Sequence, residues 1–427
     1  MDQMETVNKI ESLWDFLHFD DVVELLLLTL MGNAAIRLRL LNREFAQWVS
    51  EKDSIPLSIN RTSLRNGIIK AKQNPGLVTL KQMFGIVGPL IKCWNGPIRL
   101  AIYEDMFFNG DPSLCPWLTV MENFLKYDVT NKKLKHLDLD IKGVSSEFES
   151  ETLVMLPEDI LGDALQSLTW TFPRYTVPPS TCHEILSQLT LLPELEKLRL
   201  SNVNLHANDV DHFADIQAGR TFMSLKTLTV EAYVFPDGDD TRTRERYDEM
   251  VGRSFTSGVW PLLGESLKEL TLTMEGGLEI QLDELTRLVN LTTLNLSGKV
   301  TLVGALERFH LENLVDLSLC NASVVKDNTP HALQLFLRRL LSLRSLELCT
   351  VICNHDEFVS VAVAISDMTQ LEKLILNDLE YVYEDPFSFS SQDLAMLNLA
   401  GKPHLREFVA WGHTADESAV GETEVVG

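Results

Sequence analysis

The chain has few basic side chains for its length of 427 residues. It contains 37 lysines and arginines against 61 aspartates and glutamates, which gives a formal net charge of -24. Proteins that bind nucleic acid need clustered lysine and arginine to replace the counterions of the phosphates. We therefore expect no nucleic-acid partner.

Long apolar runs and a basic amino-terminal region are also lacking. The longest apolar run, residues 25–31 with one interruption at Thr29, is much shorter than the roughly 20 residues that cross a bilayer. Residues 1–9 carry Asp2 and Glu5 and lack the basic start and apolar stretch of a secretory signal peptide. These features predict a soluble protein of the cytoplasm or nucleus, with no membrane partner.

Recognisable catalytic and cofactor motifs are lacking as well. The sequence has no P-loop, no GxGxxG, no HExxH and no complete calcium loop. Its six cysteines show no CxxC pairs and no disulfide-scaffold density, which favours a reducing compartment. Cys349 and Cys353, with His355 nearby, lack a second matching pair and make a poor metal set. We predict no enzyme activity, no catalytic residue, no cofactor and no metal.

A repeated leucine pattern is the strongest feature that the chain does have. Residues 288–320 contain LxxLxL twice, at Leu291 and again at Leu314. The pattern recurs at residues 134, 165, 195, 225, 267, 291, 314, 343, 371 and 405. Alternation within LxxLxL predicts a strand, and one strand with its return segment cannot bury its leucines alone. The sequence therefore predicts an α/β fold, a leucine-rich-repeat solenoid over residues 134–413 shaped as a horseshoe with a parallel sheet on its concave face.

The same alternation predicts which side chains point away from the leucine core. For most single positions, an ordinary solvated strand residue is the simplest interpretation. Taken together, these residues form a polar concave face of the kind that repeat proteins use for extended partners. The candidate partner-binding residues on this face are Thr169, Thr171, Lys197, Arg199, Thr229, Glu269, Thr271, Thr293, Asn295, Asp316, Glu347, Lys373 and Trp411. Cys320 and Cys349 occupy equivalent positions on adjacent strands, which could bring them close together. Two small residues in register is the simplest interpretation of this pair.

The segments that return between strands differ in length. The longer intervals leave room for helices at residues 182–191, 331–341, 357–366 and 393–399, whereas the 24- and 23-residue intervals that begin at 267 and 291 leave room for a short turn or a single helical turn. The longest interval contains an insertion, residues 235–265, dense in charges of both signs. It is either a solvated excursion or a binding loop.

Residues 10–53 contain no LxxLxL and have the apolar spacing of three short helices. The stretches LHFDDVVELLLLTL at 17–30 and RLRLLNREFAQWV at 37–49 resemble the F-box, the module that docks on Skp1 in cullin-based ubiquitin ligases. The resemblance implies that an apolar adaptor contact is made or supported by Leu27, Leu28, Leu38, Leu41, Phe45 and Trp48. The alternative is a plain helical cap on the end of the leucine core.

The remaining segments complete the predicted organisation. Residues 55–133 are interpreted as irregular early repeats or a linker, with strand-like alternation at 55–59 and 98–102, and residues 414–427 as an acidic disordered tail. Together with the resemblance, this organisation implies a substrate-recognition subunit of an SCF-type E3 ubiquitin ligase. Such a subunit would work as a monomer within a hetero-complex, with a Skp1-like adaptor and a protein substrate as partners. The alternative is a leucine-rich-repeat scaffold or inhibitor that binds a protein without a ubiquitin ligase role.

Overall fold

A computed structural model describes residues 57–59, 98–103, 134–140, 164–171, 189–203, 221–232, 260–306, 309–325, 331–349, 355–377 and 391–410. The helical module predicted at 10–53, the tail predicted at 414–427 and the insertion up to residue 259 lie outside these ranges. The chain divides into two compact units, residues 1–143 with 157–168, and residues 144–156 with 169–427.

The first unit contains three parallel strands. These are β1 (Leu57–Ile59), β2 (Ile98–Tyr103) and β3 (Leu134–Asp140). β1 pairs with β2 and β2 pairs with β3, so the strands follow the order of the chain. The two strands predicted at 55–59 and 98–102 are confirmed. A further strand, β4 (Ser167–Thr171), begins in this unit and continues into the second.

The second unit is built on eight further strands, each paired in parallel with the next one along the chain. They are β5 (Lys197–Val203), β6 (Thr227–Ala232), β7 (Glu269–Gln281), β8 (Thr293–Val303), β9 (Asp316–Val325), β10 (Ser345–Cys349), β11 (Lys373–Asn377) and β12 (Glu407–Ala410). All ten LxxLxL motifs thus contain or lead into a strand. The predicted α/β class with a parallel sheet is confirmed.

Helices in the described part of the chain are short and few. They are α1 (Leu282–Thr286), α2 (Ala332–Leu337), α3 (His355–Ser366) and α4 (Ser391–Met396), with 3₁₀ turns at Trp260–Leu262 and Leu399–Gly401. Three of the four predicted return helices overlap α2, α3 and α4, and the single helical turn expected after residue 267 is α1. None of the helices in these ranges is long and apolar enough to cross a membrane.

Strands β5–β11 bury their leucine side almost completely, whereas no residue of β12 is fully buried. In β8, for example, Leu294 and Leu296 are at most 1% exposed, and Leu317 and Leu319 in β9 are equally buried. Strand side chains alternate between two faces, so the leucines of successive strands form one continuous apolar layer. Aromatic rings extend this layer, and Phe309 stacks on Phe336 at a centroid distance of 5.0 Å.

A recurring turn fixes where each strand begins. The amide of the first leucine in a motif donates to the carbonyl three residues earlier, as in Leu291 to Leu288 at 2.9 Å and Leu343 to Leu340 at 3.4 Å. The carbonyl of the residue after that leucine accepts hydrogen bonds from two amides at the start of the next motif's strand. The Thr292 carbonyl, for instance, accepts from the amides of Val315 and Asp316. These bonds satisfy the backbone as it enters the sheet and hold neighbouring repeats in one register.

Three strands are longer than their motifs require. β7, β8 and β9 contain 13, 11 and 10 residues and pair a second time after a bend, with Leu278 opposite Val300 and Val300 opposite Ala322. At the bend, Gly298 has a φ of +91°, and a Cβ there would lie 1.8 Å from Met274 O. Only glycine fits this conformation and this approach.

Candidate functional site

The polar face of the second unit consists of the strand side chains of β5–β12 that point away from the leucine layer. Strand register arranges them in three rows. The first row is Lys197, Thr227, Glu269, Thr293, Asp316, Ser345, Lys373 and Glu407. The second row is Arg199, Thr229, Thr271, Asn295, Ser318, Glu347, Ile375 and Val409. The third row is Ser201, Glu231, Thr273, Ser297, Cys320, Cys349 and Asn377.

Hydrogen bonds within a row link neighbouring strands. In the first row Thr227 Oγ1 donates to Glu269 Oε2 at 3.0 Å. In the second row Asn295 Nδ2 donates to Thr271 Oγ1 at 3.2 Å. Cross-strand pairs of this kind contribute modestly to the sheet and hold side chains in fixed positions. The polar face therefore presents an ordered set of donors and acceptors.

Charge is unevenly distributed over this face. Lys197 and Arg199 are exposed on β5, and Arg199 forms an ion pair with Glu231 of β6. Acids occupy the middle strands, and a second ion pair joins Lys373 Nζ to Glu407 at 3.1 Å on β11 and β12. Exposed ion pairs of this type contribute little to stability. The basic side chains Lys197 and Arg199 lie together at the β5 end of the face.

Two thiols and a carboxylate meet on β9 and β10. Cys320 lies opposite Cys349 in the strand register, and Glu347 is two residues before Cys349 on the same face. One ligand atom from each of these three half-buried residues lies within 4.8 Å of the others. Cys349 Sγ lies 3.6 Å from Glu347 Oε1, and Ser318 Oγ donates to the other carboxylate oxygen at 3.1 Å. We call these three residues the thiol cluster.

Burial raises the pKa of the Cys349 thiol far above its usual range. The neighbouring Cys320 and the Glu347 carboxylate raise this pKa further, because a negative charge on Cys349 would stand beside other negative groups. Without a cation, Cys349 therefore remains a neutral thiol at physiological pH.

The partner-binding residues predicted from the sequence lie within strands β4–β11, with one outside the described ranges. Lys197, Arg199 and Glu269 are exposed, whereas Thr171 is buried at 8% exposure. The half-buried members are Thr169, Thr229, Thr271, Thr293, Asn295, Asp316, Glu347 and Lys373. Trp411 lies outside the described residues, as do the implied adaptor-contact residues Leu27, Leu28, Leu38, Leu41, Phe45 and Trp48. Their roles remain predictions.

Sequence reasoning did not anticipate the thiol cluster. It judged Cys349, Cys353 and His355 to be a poor metal set, and it placed Cys320 and Cys349 at equivalent positions on adjacent strands without adding Glu347 to them. Their register is confirmed, and it brings the two thiols together with Glu347. The signal was present in the spacing of SLELC at 345–349, since residues two apart on a strand share a face.

No known protein-family model matches the chain, and no curated protein is significantly similar to it.

Proposed function

We propose that this chain is a substrate-recognition subunit of an SCF-type E3 ubiquitin ligase. In this proposal, residues 10–53 dock on a Skp1-like adaptor, and the repeats form a leucine-rich-repeat solenoid whose concave surface is the polar face. The observation that carries the proposal is the resemblance of residues 17–30 and 37–49 to the F-box, directly ahead of a repeat array. The polar face supports it, because it offers a partner three rows of side chains, two across eight strands and one across seven.

The chemistry of the polar face favours a protein as the substrate. Hydroxyl and amide groups, as at Thr271 and Asn295, can both donate and accept hydrogen bonds. Basic groups on β5 and acids on the middle strands would match an extended segment that carries charges of both signs. A net charge of -24 disfavours phosphate-rich partners.

The catalytic contribution in this proposal is proximity. The subunit holds a substrate lysine near a ubiquitin-charged carrier and converts a bimolecular encounter into an effectively unimolecular one. Bond formation and cleavage are carried out by other subunits, so the receptor itself needs no nucleophile or general base.

Co-purification of the full chain with Skp1 tests the proposal. Leu38→Asp and Trp48→Ala are expected to abolish or strongly weaken Skp1 binding, because each removes an apolar anchor implied by the resemblance. Leu341→Asp is the matched control, since Leu341 is 80% exposed on a turn of the array. That variant should bind Skp1 as the wild type does.

Failure of the folded wild-type chain to bind Skp1 would overturn the ligase assignment. The polar face would then be assigned to a scaffold or inhibitor that binds a protein without a role in ubiquitin transfer. Capture of a stable protein partner, with no change in its level when the proteasome is inhibited, would identify that alternative.

A further inference from the structure

The thiol cluster combines the donor atoms of a metal site in a compact arrangement. Cys320 Sγ, Cys349 Sγ and a carboxylate oxygen of Glu347 all lie within 4.8 Å of one another. Zinc binds thiolate at about 2.3 Å and carboxylate oxygen at about 2.0–2.2 Å, so two donors of a tetrahedral site stand roughly 3.5–3.8 Å apart. The 3.6 Å between Cys349 Sγ and Glu347 Oε1 agrees with that spacing.

The surrounding sheet holds these donors in place. Glu347 and Cys349 share one face of β10, and Cys320 lies directly opposite Cys349 on β9. Ser318 donates to Glu347 Oε2 at 3.1 Å, which leaves the other carboxylate oxygen beside the thiol. A hydrogen bond from a neighbouring group commonly orients a metal-binding carboxylate in this way.

A buried oxygen on the adjacent strand is an independent indication of a missing partner. Asn377 lies opposite Cys349 on β11, on the same face as the thiols. Its Oδ1 is buried, and within the ranges that the structure describes no hydrogen-bond partner reaches it. Buried polar atoms in proteins nearly always have a hydrogen-bond partner, so we expect a partner for this oxygen. A cation held by the thiols would provide a positive charge next to it.

We propose that Cys320, Glu347 and Cys349 form a binding site for a thiophilic divalent cation, for which zinc is the best fit. Two thiolates with one carboxylate suit zinc, whereas magnesium and calcium prefer sites built only from oxygen. On binding, each thiol releases its proton and the carboxylate binds in its ionised form. Two protons are therefore released for each cation. Asn377 Oδ1 or water occupies the fourth position.

This site does not depend on the proposed adaptor contact, although it lies on the polar face that the proposed function assigns to the substrate. It uses no residue of the segment 10–53 and would persist if Skp1 binding failed. Its structural effect is to join β9 to β10 on the polar face, in addition to the backbone bonds between them.

Cobalt substitution of the full, reduced chain tests the site. After removal of metal with a chelator, Co²⁺ is expected to bind with a stoichiometry of one and to give thiolate-to-cobalt charge-transfer absorption together with the visible bands of tetrahedral cobalt. Added Zn²⁺ should remove both signals. Cys320→Ser and Cys349→Ser should each weaken or abolish the charge-transfer absorption, and Glu347→Gln should lower affinity by at least about tenfold.

Matched controls separate this site from other carboxylates and thiols. Glu269→Gln changes an acid of the same polar face away from the thiols and should leave the cobalt spectrum unaltered. Cys93→Ser with Cys115→Ser should also leave it unaltered. A charge-transfer band that persists in both Cys320→Ser and Cys349→Ser would overturn the proposal, and so would visible bands without charge transfer in the wild type.

Thiol protection gives a second measurement that needs no variant. Zn²⁺ should slow alkylation of Cys320 and Cys349 by at least about tenfold while leaving Cys93 and Cys115 unchanged, with each site followed by peptide mapping. Equal alkylation of Cys320 and Cys349 with and without Zn²⁺ would overturn the site even if a cysteine variant failed to fold.

Discussion

At the scale of single residues, Lys402 is a buried cation that binds backbone carbonyls at one end of a helix. Only 4% of the residue is exposed, and its ammonium donates to three carbonyls at the end of α3, those of Ile365 at 2.5 Å, Ser366 at 3.4 Å and Met368 at 3.2 Å. Carbonyls at a helix end lack partners within the helix and favour a cation. Lys402 therefore caps the carboxyl end of α3 and the turn that follows it.

Lys402→Met is expected to lower the free energy of unfolding by about 1–3 kcal/mol, because it removes a charged donor from these three carbonyls. The carbonyls of Ile365 and Met368 each keep one backbone amide donor, from Met368 and Leu371. Burial lowers the pKa of Lys402 below 10.5, and Asp367 offsets part of this shift. Between the folded pKa and 10.5 the unfolded chain binds more protons, so the stability difference between wild type and variant should grow as pH rises. Urea denaturation at several pH values measures both effects.

Lys268→Met is the control, since Lys268 is exposed. A similar loss of stability in the two variants would contradict the role of Lys402.

Two asparagines brace successive turns of the array. Asn290 Nδ2 donates to Glu265 O at 2.8 Å, and Asn313 Nδ2 donates to Val289 O at 2.9 Å.

Asn313→Ala should cost about 0.5–1.5 kcal/mol of unfolding free energy. Asn313→Asp should cost more, because it places a carboxylate against the carbonyl. Ser342→Ala, at the equivalent position of the next motif, should change stability by less than about 0.5 kcal/mol. Equal effects of Asn313→Ala and Ser342→Ala on thermal unfolding would refute the bracing role.

At the scale of elements, the close approach of β8 to β7 at the bend requires glycine at position 298. Gly298→Ala would place a Cβ 1.8 Å from Met274 O at a φ of +91°. We expect a loss of more than about 2 kcal/mol in unfolding free energy, because the backbone must move to relieve the clash. Gly304→Ala is the matched control, with a φ of +127° but its nearest non-neighbouring atom 3.6 Å away. Denaturant titration should therefore rank Gly298→Ala as the more damaging change; the reverse order would contradict the close approach.

Strand positions could be predicted from the sequence because LxxLxL fixes both the phase and the buried face of each strand. The register of Cys320 with Cys349 followed from the same motif. The second pairing of β7, β8 and β9 was not predicted, although apolar and polar residues alternate at Leu278–Ile280, Val300–Leu302 and Ala322–Val324. The return segments were assessed by length alone, which cannot tell a turn from an extended strand. The thiol cluster requires two inferences to be combined, the register of Cys320 with Cys349 and the shared strand face of Glu347 and Cys349, and the sequence supports each of them separately.

At the scale of the whole molecule, the distribution of charge bears on partner choice. The basic pair Lys197 and Arg199 lies on β5, while acids occupy most of the strands that follow. A partner segment of mixed charge would meet the face in one preferred direction, because reversal would oppose like charges.

Lys197→Glu combined with Arg199→Glu is expected to reduce capture of the protein partner by roughly tenfold or more. Both residues are exposed, so the free energy of unfolding should change little even though the ion pair between Arg199 and Glu231 is lost. Quantitative co-purification from proteasome-inhibited cells measures the capture. Arg287→Glu changes an exposed arginine directly after α1. It is the control and should capture the partner normally. An equal reduction in the two variants would argue against the polar face as the binding surface.

The double pairing of β7, β8 and β9 has a mechanical consequence for the second unit. β7, β8 and β9 pair on both sides of the bend, so their backbone hydrogen bonds resist shear over twice the length of a single short strand. β10, β11 and β12 contain five, five and four residues and pair over one short stretch only. The array therefore has a stiff segment followed by a more compliant one. A bound partner would have to match the stiff segment as it stands, while the compliant strands could adjust their spacing to the partner.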